Sequence, residues 1–152
     1  MNWPQLKQLQ SKGFEIGSHG LNHVPLTYLS AHELDKELKG SKTVLEDGLG
    51  AEVKTFSVPR GFYNGRVRQA AREAGYRYVF TSQFCVNRKK PDPYALARLA
   101  VKRTTTTDDF EKLLKGELGF HGPTEKLKEL VRGTVPPNFY EFASSIKRVL
   151  RG

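Results

Sequence analysis

The sequence has 152 residues, 38% of them hydrophobic, which suits one globular domain with a sizeable core and excludes a disordered tail. Its 25 Lys and Arg against 16 Asp and Glu leave a formal net charge of +9, a field that attracts polyanions without naming one. The basic residues are scattered through RVRQAAREAGYR, VNRKK, VKR and KRVLRG, with no basic stripe and no recognisable binding module, so no specific nucleic-acid partner is expected.

Taken in chain order, residues 3 to 11 read as the tail of a helix, with Leu6 and Leu9 three apart and Gly13 as the stop. The start, MNWPQLKQLQSKG, has no apolar signal region, and no later run approaches the roughly 18 apolar residues that cross a bilayer. As written, the chain is therefore expected in the cytoplasm, with no membrane span. FEIGS, 14 to 18, reads as a short strand that runs into a loop carrying His19 and His23. Ser30 and Glu33 form a capping box flanked by the pair Leu29 and Leu34, so a helix should begin at Ala31. Leu34, Leu38 and Leu45 share one face of it, and Gly48 with Gly50 ends it.

VKTFSV, 53 to 58, is a second expected strand, closed by Pro59 and Gly61. A helix from about Arg66 to Ala74 follows, stopped by Gly75, and YRYVFTS is a third strand. The polar connection QFCVNRKKPDPYA holds Cys85, the single cysteine, which rules out an intrachain disulfide and a thiolate-rich zinc site and is expected to be a small buried thiol. LARLAVKR reads as a fourth strand, and Thr107 as the cap of a short helix through Leu114, with Asp108 and Asp109 as first-turn charges that suit the helix dipole. Pro123 marks another helix start. Asn138 with Glu141 caps a last helix with an apolar face of Phe139, Phe142, Ile146, Val149 and Leu150. Strands alternating with helices imply βα units and a mainly parallel sheet, whose functional groups lie in loops after the strands' C-terminal ends.

Two such loops invite chemistry. His19 and His23, four residues apart, can aim two imidazoles at one zinc, cobalt or nickel ion; a hydrolytic site would add a third protein ligand, best a carboxylate, and an open position for water. The same spacing also occurs in paired surface or capping histidines. PRGFYN follows the next strand and is delivered to the same end of the sheet. Glu15 should face away from Phe14, towards substrate or solvent; His32, in a first helical turn, reads as a surface residue, and His121, in GFHGP, as a structural one.

GFEIGSHGLNH, FSVPRGFYN and AREAGYRYVFTS, in that order, resemble the polysaccharide deacetylases, carbohydrate esterase family 4, with the NodB homology domain. The resemblance runs over about residues 3 to 103 and implies a distorted (β/α) barrel in which an Asp and two His hold a divalent metal, commonly zinc. It implies metal-assisted hydrolysis of N-acetyl, carbon–nitrogen bonds in an N-acetylated glycan, with a neighbouring Asp as base and a late His protonating the leaving amine. It makes His19 and His23 the metal ligands, matches Pro59 and Gly61 to the family's Pro-Tyr-Gly turn, and puts Arg60 at the position whose backbone N–H meets the oxyanion. Pro59, Gly61 and Tyr63 become substrate-binding residues.

The departures carry expectations of their own. The family's Asp-Asp motif belongs to a first strand that this chain is expected to lack, and Asp108 and Asp109 occur in the wrong order to replace it. Ser57 stands where the turn motif usually starts with arginine, and no Leu-x-Leu-His segment follows. The expectation is therefore a partial NodB-like domain over residues 1–115 with a helical extension over 116–152. It would have an incomplete zinc site, no catalytic base, and little or no activity, because two histidines alone bind zinc weakly. A non-catalytic carbohydrate-binding or scaffolding remnant is the alternative, and a sheet edge left unpaired would favour self-association.

Overall fold

The structure is a computed structural model and describes residues 1–87 and 89–117. Helix α1 (Trp3–Ser11) has a capping box of its own: Asn2 Oδ1 accepts from Gln5 N at 3.1 Å, and Gln5 Oε1 accepts from Asn2 N at 2.9 Å. Helix α1 thus carries its own N-terminal cap. Helix α2 (Ala31–Leu49) begins as its capping box dictates, Glu33 Oε2 accepting from Ser30 N at 2.8 Å. Hydrogen bonds from Ser30 hold the Glu33 carboxyl below its ordinary pKa. Gly50, at φ 68, ends α2 in the left-handed conformation, whereas Gly48 lies within it. The Trp3 ring occupies the space that a Cβ at position 48 would need, which seats α1 against the last turns of α2.

Strands β1 (Thr55–Ser57) and β2 (Tyr78–Phe80) pair in parallel, with Phe56 opposite Val79, and helix α3 (Gly65–Glu73) connects them. Single parallel bridges flank this ladder, Ser18 to Phe56 on one side and Leu96 to Phe80 on the other. The four expected strands thus lie in sequence order across the sheet, but only the inner two form a ladder. The outer two stop early for visible reasons. After Ser18 the chain turns away through Gly20, at φ 83. Past Leu96, the Asn87 side chain pairs with both backbone groups of Ala97 at 2.9 Å, in place of a further strand. The described residues form an α/β arrangement with no closed barrel.

The core lies between α2, α3 and the sheet. Leu34, Leu38, Phe56, Val67, Tyr76 and Val79 are fully buried or nearly so, and each large apolar side chain taken from water contributes about 1.5–3 kcal/mol. Leu45 packs on this cluster at its margin. The α2–β1 connection is tied by Lys42, which donates to Glu46 Oε1 at 2.7 Å and to Val53 O at 2.6 Å, while Val53 N donates to the same carboxylate. Helix α4 (Thr107–Leu114) is capped by Thr106, one residue earlier than expected, because Asp109 is correctly spaced to complete a capping box with Thr106. Cys85 is exposed, not buried: it sits in the polar connection after β2, where no element covers it. No described helix is long and apolar enough to cross a membrane. His121, the helices expected after Pro123 and Asn138, and the extension beyond residue 117 lie outside the described residues.

Candidate functional site

The histidine loop and the turn after β1 meet at the C-terminal end of the sheet. His19 Nδ1 donates to Ser57 O at 2.6 Å, which puts the proton on Nδ1 of the neutral ring and leaves Nε2 as the free electron pair. The His19 and His23 rings lie 4.9 Å apart between centroids, tilted by 59°, and both residues are exposed. A Cβ at Gly20 would stand 3.5 Å from Pro59 Cγ, so the two loops touch there as well.

The loop is fastened from below by one face of α2. Ser18 Oγ donates to Ser41 Oγ at 2.9 Å, and Ser41 also meets the Tyr76 hydroxyl at 3.2 Å. Leu21 lies over Gly40, where a Cβ would come within 2.7 Å of its Cδ1. Glu37 accepts from Asn22 N at 2.6 Å and from Asn22 Nδ2 at 2.8 Å. Glu37 and Ser41 are both 3% exposed, so the helix side of these contacts is buried, on the stripe that also carries Leu34 and Leu38.

The turn is shaped by its own backbone. Pro59 is buried, Arg60 is exposed at φ 55 and ψ 0, and Gly61 follows at φ 78. Three non-glycine residues among those described have positive φ, His23, Arg60 and Lys90, and two of them are expected site residues. Left-handed backbone at a non-glycine residue costs on the order of 1–3 kcal/mol and collects at functional positions. Tyr63 lies half-buried beyond the turn and donates its hydroxyl to Tyr94 O. Burial pushes this phenol up to about 12.

Sequence reasoning passed over Glu37, Ser41 and Arg98. Arg98 donates from Nη1 to Ser57 Oγ at 2.9 Å and from Nε to Thr81 O at 2.8 Å. A guanidinium from the fourth segment therefore reaches Ser57, the position where an arginine was expected. Glu37 and Ser41 could have been noticed as polar members of an apolar stripe; the contact of Arg98 spans 41 residues and has no local signal. Glu15 and His32 are exposed, and Asp108 and Asp109 lie in the first turn of α4, away from the histidine loop in sequence and in role.

The polysaccharide deacetylase family model matches residues 1–79 of the 152. The chain belongs to the polysaccharide deacetylase family. Among curated relatives, this deacetylase-family chain is 34% identical over 77 residues to the peptidoglycan-N-acetylglucosamine deacetylase of Bacillus cereus, a match covering 51% of the chain and 36% of the relative. It is 28% identical over 97 residues to YxkH of Bacillus subtilis, covering 64% of the chain and 35% of that protein. The chain thus spans about a third of the length of the curated relatives it matches. Among solved structures, the Streptococcus pyogenes deacetylase PplD, determined with acetate, superposes with a TM-score of 0.70 at 22% identity, over 77% of this chain and 50% of that one. A polysaccharide deacetylase from Bacillus cereus gives 0.66 at 22% identity, over 74% of this chain and 36% of that one. These likenesses establish the fold.

The side chains fit part of a metal site. Two imidazoles on one loop, one with its Nδ1 engaged by a carbonyl and its Nε2 left free, are a suitable donor pair for zinc. The described residues contain no group of three His, Cys, Asp or Glu able to surround an ion, so the pair has no third side-chain ligand among them.

Proposed function

We propose that this deacetylase-family chain carries part of the active site of a metal-dependent carbohydrate N-deacetylase, which hydrolyses the carbon–nitrogen bond of an N-acetyl group on a glycan. The observation that supports this most is the hydrogen bond from His19 Nδ1 to Ser57 O, which frees Nε2 at the meeting point of the two loops. His19 and His23 would hold a divalent ion, zinc being the best match to imidazole nitrogen, and the ion when bound would polarise an acetamide carbonyl and acidify water. The chain's own residues would contribute further. The backbone N–H at Arg60 donates to the acetamide oxygen as negative charge gathers on it, and the left-handed backbone at residues 60 and 61 sets that direction. Gly61 and the Tyr63 ring line the substrate side, with the buried Pro59 setting the turn beneath them and the Tyr63 hydroxyl committed to Tyr94. The whole domain is read as a distorted (β/α) barrel, and the sheet edge beside Ser18 as a surface able to pair with another copy.

Among the described residues the pair has no third side-chain ligand, and in this reading the chain alone is weakly active or inactive. That same observation favours a second reading, a glycan-binding relative without catalysis. Calorimetric titration with zinc chloride should show saturable binding that the His19→Ala, His23→Ala double variant lacks; coincident isotherms would remove the metal assignment. Acetate release from an N-acetylglucosamine oligomer should stay near the zinc-only blank. Release at ordinary enzymatic rates would overturn the claim of incompleteness, and oligomer binding that is indifferent to zinc would favour the second reading.

A further inference from the structure

A carboxylate buried among apolar side chains costs several kcal/mol unless something compensates it. Glu37 is 3% exposed between Leu34 and Leu38 on α2, and none of the ion pairs among the described residues includes it. A leucine or methionine there would extend the apolar stripe at no such cost. Among the described residues, the compensation that Glu37 receives comes from one: Asn22 N donates to Oε1 and Asn22 Nδ2 to Oε2, at 2.6 and 2.8 Å. Gly20 leaves room for that carboxylate, since a Cβ at its position would stand 2.8 Å from Oε1.

The placement follows a pattern. Ser41, one helical turn beyond Glu37, holds Ser18, the residue immediately before His19. Glu37 holds Asn22, the residue immediately before His23. The four-residue spacing of the two anchors on α2 thus matches the four-residue spacing of the two histidines. His23 follows its anchor with φ 54, a conformation that a free loop residue would leave.

We propose that Glu37 is a positioning residue, whose buried carboxylate fixes the Asn22 peptide and thereby the place of His23 relative to His19. It touches neither metal nor substrate and acts through Asn22. The proposal deepens the metal reading of the histidine pair and rests on it for its functional meaning.

The test compares Glu37→Gln and Glu37→Leu with the unaltered chain, by histidine-ring NMR of the metal-free protein and by calorimetric titration with zinc chloride. Gln keeps the shape but presents an amide donor to a donor, and Leu fills the space without any acceptor. Both variants should shift the His23 ring resonances more than those of His19, and weaken zinc binding by about 10- to 100-fold, the range for groups that orient a ligand. The Leu variant should retain or raise the thermal midpoint, which separates positioning from a purely structural role. Asn22→Ala should weaken zinc binding similarly, with little further loss when combined with Glu37→Gln. Unchanged His23 resonances in the folded Leu variant would overturn the proposal, as would additive losses in the double variant. If the unaltered chain binds no zinc, the metal reading fails, while the ring shifts in the metal-free protein still decide whether Glu37 places His23.

Discussion

The histidine loop and the Pro59–Gly61 turn lie side by side at the end of the sheet, yet the first is fixed by side chains of another element and the second by its own backbone. Ser18, Leu21 and Asn22 are each held by α2, through Ser41, Gly40 and Glu37. The turn instead owes its form to a buried proline and two consecutive left-handed residues. A loop fixed by remote side chains is sensitive to single changes at those positions. A turn fixed by φ and ψ is sensitive to which side chains its backbone tolerates and indifferent to most of what they carry.

The largest expected effect lies in the loop: replacing His19 and His23 with alanine should abolish saturable zinc binding in calorimetry while leaving the circular dichroism spectrum intact. Next comes Phe56→Ala, on the strand that supports both loops, which should cost about 3–5 kcal/mol in denaturant unfolding. Equal damage to the two loops is expected there, because Phe56 is fully buried and bridges to Ser18 three residues before the turn begins at Pro59. Within the turn, Gly61→Ala should cost about 1–2 kcal/mol, since a Cβ at φ 78 meets the penalty for left-handed backbone. Arg60→Ala should change stability little, and Arg60→Gly should raise it by up to about 1 kcal/mol, because glycine alone relieves φ 55. A loss for Arg60→Ala as large as that for Phe56→Ala would break the contrast.

The smallest effect is a pH dependence. Burial raises the Tyr63 phenol from 10.0 to about 12, so the folded chain favours the protonated form. Its contribution is complete below the unfolded value of 10.0 and fades as pH rises through about 12. Tyr63→Phe should make the alkaline limb of a stability-versus-pH curve shallower. Tyr76, also raised mainly by burial, should keep that limb from flattening altogether.

What the sequence disclosed follows the range of the forces involved. Ser30 and Glu33 could be read as a cap because the whole interaction lies within four residues, and the same logic placed the α4 start within one residue of Thr106. The two histidines and the proline-glycine turn were legible as motifs. The extent of pairing was not: FEIGS and LARLAVKR have strand composition, but whether a ladder continues depends on partners such as Asn87, which closes off Ala97 from ten residues away. Cys85 was misjudged because burial depends on what covers a loop, and composition cannot show that. Glu37 was legible as a polar member of the apolar stripe, but its role was not, for a related reason. On a helical wheel a glutamate beside leucines marks the edge of a stripe, and only the packed loop reveals that the carboxylate faces inward.

The seating of Trp3 on Gly48 gives the chain a built-in optical reporter. Trp3 is the single tryptophan, so all indole emission arises where α1 meets the end of α2. Release of α1 would move the indole from its partly covered position, 41% exposed, into water and redshift its emission, independently of the phenylalanine and tyrosine core. Fluorescence can therefore follow the docking of α1 while far-ultraviolet dichroism follows the rest, and a separation of the two midpoints would reveal α1 as an independently opening unit.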